Sequence, residues 1–349
     1  MYFFKLSQRI AYILLTYALM ACGGDESAKN SEQKQAEVNV YSHRNYDSDD
    51  KLFAEFTKQT NIKVNVINAD ADGLMHKMEM EGENSPADVL LTVDGARLYR
   101  AKEKGLLQAI NSELINATIP AYLRDTDNQW VCLTKRARIV VYAKERIKPE
   151  QLSTYEDLTD EKWRGKILVR SSDNMYNQSL LASMIANKGE ESAKNWAKGI
   201  VKNMAREPKG NDTDQVTALV AGEGDLAIVN TYYVAKMLNT EENKSIKDKI
   251  GVFFPNQNDR GAHFNVSGAG IAKYAPNRAN AVKLLEFLCS EQAQQIFAEA
   301  NQEYPVRNGV APSATLQSFG TFKADTLDLS LLGKYNSAAV KIFDRVGWK

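Results

Sequence analysis

The chain has little of what common metal and redox sites are built from. Of its 349 residues, three are cysteine (Cys22, Cys132 and Cys289) and three are histidine (His43, His76 and His263). No Cys/His spacing of the zinc type occurs, and three histidines are too few for a histidine-based metal site. Cys132 and Cys289 sit in apolar runs, which favours buried thiols, although an oxidising compartment would permit a disulfide. Net charge is also missing. The 44 Lys and Arg balance the 44 Asp and Glu, so no overall field attracts nucleic acid. There is no serine elbow, Cys-x-x-Cys or His-Glu-x-x-His, and no Lys or Asp stands out as a nucleophile. An enzyme is therefore not expected.

Long apolar runs are scarce as well. Residues 10–20 form one, but a spanning helix needs roughly 20 apolar residues. With Lys5 and Arg9 before it, the run reads as the core of a signal peptide covering 1–21. It ends in Leu19-Met20-Ala21-Cys22, which resembles a bacterial lipobox with Cys22 as the lipidated N-terminus. Residues 23–36 hold no large apolar side chain and cannot bury enough surface to order themselves. Residues 22–36 are thus expected to be a lipidated N-terminus and flexible tether, anchoring the protein in the periplasm or at the cell surface. Beyond it about 310 residues remain, enough for two lobes.

Short β-like runs alternate with amphipathic helical ones, the pattern of an α/β fold with a parallel sheet core. Strands are expected at 38–41, 62–66, 87–92, 130–133, 137–142, 166–169, 226–229, 252–254 and 264–272. Helices are expected at 49–59, with Ser48 as cap, and at 73–80, 95–104, 177–187, 191–204, 213–221, 233–238, 278–288, 292–300 and 329–343.

Four tyrosines fall at strand-to-helix junctions. Tyr46 follows the first strand, Tyr176 lies in Ser171-Ser172-Asp173-Asn174-Met175-Tyr176, and Tyr232 and Tyr233 follow Asn230-Thr231. Ligands of open α/β sheets bind beyond the carboxyl ends of strands, and helix N-termini there favour anions. A phenol titrates near pH 10, so it becomes an anionic oxygen ligand only where a strong Lewis acid displaces its proton. A hard trivalent cation does this best; soft metals prefer thiolate or imidazole. Four phenolates around one ferric ion leave a single net negative charge, which Arg136 and Lys236 are placed to offset. Each tyrosine alone reads more simply as a half-buried packing residue with a bonded hydroxyl. Tyr232 and Tyr233 can share a ligand only at a turn, since strand neighbours point to opposite faces.

Taken together, these segments resemble the ferric-iron-binding periplasmic proteins of ABC transporters, particularly the cyanobacterial-type iron-uptake branch. The resemblance runs from about Val38 to Arg307. It is densest at 41–46, 87–89, 136–142, 171–179, 230–233, 265–270 and 303–306. It implies a two-lobed, type II periplasmic-binding-protein fold with a hinge and a central ligand cleft. The first lobe would take 37–133 and 265–304, the second 134–264, and helices in 305–349 would pack across them. It implies ferric iron as the carried ligand, bound by Tyr46, Tyr176, Tyr232 and Tyr233. The partner would be an iron permease of the inner membrane, served by a monomeric protein that contacts the membrane through its lipid. One departure stands out. Several family members have histidine just before the first ligand tyrosine, where this chain has Asn45. Asn45 could still bond a coordinated water or a phenolate oxygen, and His43 is a further candidate. His76 and His263 read as ordinary surface or packing residues. The competing reading keeps the fold but takes a small organic cation, such as a polyamine or thiamine-like molecule, stacked on neutral tyrosines.

Overall fold

The computed structural model describes residues 35–243 and 245–349. The expected signal segment, the lipidation at Cys22 and nearly all of the tether lie outside the described residues.

The chain opens with β1 (Glu37–Ser42), α1 (Asp47–Thr60), β2 (Lys63–Asn68), α2 (Ala71–Glu81), β3 (Val89–Thr92) and α3 (Gly95–Glu103). β2 and β3 flank β1 and run parallel to it. Parallel neighbours need crossovers, and α1 and α2 supply them. After β4 (Leu107–Gln108) and α4 (Glu113–Thr118) comes the long β5 (Trp130–Ala143). A second run follows: β6 (Ile167–Leu168), α5 (Met175–Lys188), α6 (Glu190–Asn203), α7 (Asp212–Val220), β7 (Leu226–Asn230) and α8 (Thr231–Leu238). Next are α9 (Ile246–Lys249), β8 (Ile250–Phe253), β9 (Phe264–Ala272), α10 (Arg278–Leu288), α11 (Glu291–Asn301) and β10 (Tyr304–Pro305). The chain closes with α12 (Ala314–Ser318), α13 (Ser330–Lys334) and α14 (Asn336–Val346).

The strands order as β2-β1-β3-β9-β5-β7-β6. The sheet is mixed, not the parallel core that the alternation suggested. β9 runs antiparallel to both β3 and β5, and β7 antiparallel to β5. Parallel pairing is confined to the outer strands, among β2, β1 and β3 on one side and between β6 and β7 on the other.

β5 explains much of the architecture. The sequence suggests two strands there, 130–133 and 137–142, with Thr134-Lys135-Arg136 between them. The structure shows one strand of 14 residues with a register shift between Cys132 and Thr134. Its first residues, Trp130 to Leu133, join a core built mainly from β1, β3, β9 and the helices packed on them. Beyond the polar stretch, Val140 and Tyr142 join a second core with α5, α6 and α14, while Ile139 and Val141 face a third with α7 and α8. Alternation along a strand produces this split. Tyr142 pairs with Gly251, where an added Cβ would lie 2.1 Å from the tyrosine ring. Tyr142 is thus a packing residue.

Two local expectations change. Ser48 does not cap α1. Tyr46 is the N-cap residue and its side chain makes no cap bond, while Ser48 is buried and its Oγ donates to Asn301 Oδ1 at 2.7 Å. Asp47, Asp49 and Asp50 fill the first turn, where negative charge is favourable. The expected helix at 329–343 breaks at Tyr335 into α13 and α14. Gly333 lets α13 sit against Tyr99, since a Cβ there would meet the ring at 2.3 Å. Leu329 and Leu332 then pack into the first core, and Ala339, Ile342 and Phe343 into the second. Cys132 and Cys289 are free, buried thiols, and burial pushes the Cys289 thiol up to about 12.

Candidate metal site

Three chain turns carry the four tyrosines. At the end of β1, Ser42 Oγ donates to Arg44 O at 2.9 Å and accepts from Arg44 N at 3.0 Å. This turn sends the Arg44 side chain inward, leaves Asn45 exposed and places Tyr46 at the head of α1. Tyr176 is the second residue of α5, whose cap Asn174 accepts from Tyr176 N at 3.2 Å. Tyr232 and Tyr233 lie in the first turn of α8, which begins at Thr231, earlier than the sequence suggested. A helical first turn lets both point to one side, as neighbours in a strand could not. Their ring centroids are 4.3 Å apart.

The structure gathers all four. The Tyr176 and Tyr232 hydroxyls are hydrogen-bonded at 3.2 Å. Tyr46, Tyr176 and Tyr233 line one cleft of about 300 Å³, together with His43, Asn45 and Asn174. Lys236 Nζ sits 4.8 Å from the Tyr46 ring centroid and 5.7 Å from that of Tyr232. Arg136 lies 5.7 Å from the Tyr176 centroid. Its guanidinium donates to Ser267 Oγ at 3.1 Å and to the Val93 carbonyl. The cations chosen from the sequence therefore flank the tyrosines.

The sequence did not single out Arg44, Asp49, Glu303 or Arg138. The buried Arg44 guanidinium lies 4.7 Å from the Tyr46 centroid. It is held by Asp49 through two bonds of 3.1 Å and by Glu303 at 3.4 Å. Gln302 adopts φ 57°, a left-handed turn after α11, and Glu303 follows it into the interior. Arg138 lies 6.0 Å from the Tyr176 centroid. Arg136 and Arg138 are two apart on β5 and so share a face.

Burial raises the Tyr46 phenol above its ordinary value, helped by Glu303 and Tyr176 and opposed by Arg44 and Arg136. Burial likewise raises Tyr176, against the pull of Arg136. Tyr232 is raised well above 10, first by burial and then by Tyr176, Tyr46 and Tyr233. Lys236 is lowered, first by burial, with Arg44 adding to the fall and Glu303 opposing it. Burial also lowers His43, and Arg97 adds to that; its Nδ1 is buried without a hydrogen-bond partner. His76 is exposed beside Glu79. His263 is buried, which pushes it down to about 3.

Chemically, this is a cluster of phenols beside the cations Arg44, Arg136 and Lys236, and burial raises Tyr46, Tyr176 and Tyr232 above the ordinary phenol value. A strong Lewis acid that displaced their protons would gain several hard oxygen donors at once. Among the described residues, no group of three or more His, Cys, Asp or Glu is arranged to hold a metal, so the donors the site offers are the phenols, with His43 and Asn45 beside them in the cleft.

Comparison with known proteins follows the same line. Residues 51–324 match the family of bacterial extracellular solute-binding proteins. The chain is 49% identical to iron uptake protein A1 of Synechocystis over 99% of its own length and 98% of that protein's. It superposes with a TM-score of 0.86 on the Trichodesmium protein IdiA (FutA) solved in complex with iron and citrate ligands. Identity there is 50%, covering 90% of this chain and all of that one. The ferric binding protein of Campylobacter jejuni gives a TM-score of 0.84 at 41% identity, over 89% of this chain and all of that one. The chain belongs to the bacterial extracellular solute-binding family and has its mixed α/β periplasmic-binding-protein fold.

Proposed function

We propose that this extracellular solute-binding protein captures ferric iron through the phenolate oxygens of Tyr46, Tyr176, Tyr232 and Tyr233 and delivers it to an ABC-type permease. The observation that carries the reading is that Tyr46, Tyr176 and Tyr233 line one cleft and the fourth phenol, Tyr232, is in hydroxyl contact with Tyr176. Four phenolates on a trivalent ion leave one negative charge, and Arg136, Arg44 and Lys236 stand close enough to balance it. The iron is cargo, carried without a catalytic step. The organic-cation reading fits less well. A cation held by aromatic rings needs their faces, but Arg44 and Lys236 flank the Tyr46 ring, and Arg136 and Arg138 the Tyr176 ring. A further cation there would meet like charge and, leaving the phenols neutral, would gain no anionic oxygens to offset it, as ferric iron does.

In this reading the first lobe (37–133 and 265–304) provides Tyr46 and the second (134–264) provides the other three, with 305–349 packing across both. Bonds such as Ser179 Oγ to Asp94 Oδ2 at 2.8 Å join the two. Ferric iron would favour closure because the closed state adds a ligand. Small-angle scattering is expected to show a smaller radius for iron-loaded than for iron-free protein. Tyr46→Phe should still bind, more weakly, and close less. An identical response of wild type and Tyr46→Phe would remove Tyr46 from the bridge.

We further propose that Cys22 is the lipidated N-terminus tethering the protein outside the cytoplasm. Cys22→Ser is expected to abolish incorporation of labelled lipid while leaving iron binding unchanged. Persistent labelling would place the lipid elsewhere.

A further inference from the structure

A buried ionic clamp ties together the two segments that carry Tyr176 and Tyr232. Arg138 and Asp212 are almost wholly inaccessible and pair at 2.8 Å. From Arg138 the bonds run in two directions. Nη2 donates to Asn177 Oδ1 at 2.7 Å, next to Tyr176 in α5. Nη1 donates to Asn230 Oδ1 at 3.3 Å, in the residue before α8. Asp212 adds a second tie to that point by accepting from Asn230 N at 2.7 Å. Asn177 is itself pinned, donating to Arg170 O at 2.8 Å and Ser171 O at 3.1 Å in the loop that enters α5. One guanidinium thus fixes the start of α5 relative to the start of α8.

We infer that the Arg138–Asp212 pair, acting through Asn177 and Asn230, is a positioning device that holds Tyr176 and Tyr232 at ligand separation before metal arrives. The inference rests on the four-phenol reading of the site. Its physical basis is geometric: the 3.2 Å hydroxyl contact joins only the tips of the two side chains, whereas the clamp fixes the helix starts that carry them. Replacing such a buried pair by apolar residues is often neutral or stabilising, so burial alone is a weak reason for keeping it here. Outer partners that orient metal ligands typically account for about 10–100-fold in affinity.

The test uses Asn177→Ala, which cuts the arm to α5 and leaves the ion pair intact. The control is Asn203→Ala. Asn203 is equally buried, but its Nδ2 donates to Leu158 O and Asp160 O, at 2.9 Å each, neither of them in a segment that carries one of the four tyrosines. Both variants and the wild type are loaded with ferric iron, and release to excess competing chelator is followed well below their melting temperatures. Asn177→Ala should release iron about 10–100-fold faster than wild type and show a shifted visible band. Asn203→Ala should melt lower but release at the wild-type rate. A coloured wild type with an unaltered Asn177→Ala, or equal acceleration in both variants, would overturn the clamp while sparing the phenol site. A wild type that takes up no iron would overturn both.

Discussion

Removing any one of the phenol oxygens of Tyr176, Tyr232 or Tyr233 is expected to cost at least about 100-fold in ferric affinity, beyond the roughly 10–100-fold typical of an outer partner. Each Tyr→Phe change deletes one oxygen and keeps the ring, so packing should survive with a small change in stability. Tyr232→Phe should also break its contact with Tyr176, leaving that hydroxyl buried with one partner fewer. Tyr142→Phe is the control, because its ring packs on Gly251 and does not line the cleft. The measurement is competition with a chelator of known ferric affinity. If Tyr142→Phe weakens binding and Tyr176→Phe does not, the tyrosines have been wrongly chosen.

The second large effect is that of pH. Tyr46, Tyr176 and Tyr232 are all raised above the ordinary phenol value, so each is protonated throughout the neutral and acid range. Binding as phenolate then expels a proton from each, and protons compete with iron for the same oxygens. Affinity therefore rises with pH and falls on acidification. With three or four protons released, each unit of acidification should lower affinity for free ferric ion by about 10³–10⁴-fold, tenfold per proton. The slope is read by equilibrating the protein against a ferric chelator buffer between pH 5 and 7 at fixed free ferric activity. A flat profile would mean that the ligands are already ionised there, as carboxylates would be.

That the four tyrosines come together was legible in the sequence because local signals mark their positions and the family resemblance groups them as a set. Each stands where a strand pattern yields to a helix pattern, and α/β sheets bind ligands at such places. Arg44 and Glu303 were not legible, because their pairing joins positions 259 residues apart. Arg138 could have been found. It lies two residues after Arg136 in a strand, so whatever Arg136 faces, Arg138 faces too. Residues 134–136 instead read as a break between strands, which put Arg136 outside the strand that holds Arg138. A buried strand with charges at its centre contradicts ordinary patterning, and such contradictions tend to mark functional sites. Ser48 misled for a simpler reason. Its residue type suits a cap, but here its hydroxyl is taken by Asn301, a tertiary partner invisible to local rules.

The most direct test of the account is the visible spectrum of the purified wild-type protein as ferric iron is added. Phenolate bound to ferric iron gives a charge-transfer band, because an electron can move from oxygen to metal; neutral, stacked tyrosines give none. The account predicts a colour that grows with added iron and saturates at one ferric ion per chain. A protein that stays colourless on saturation with iron, or that binds iron without a visible band, would contradict it.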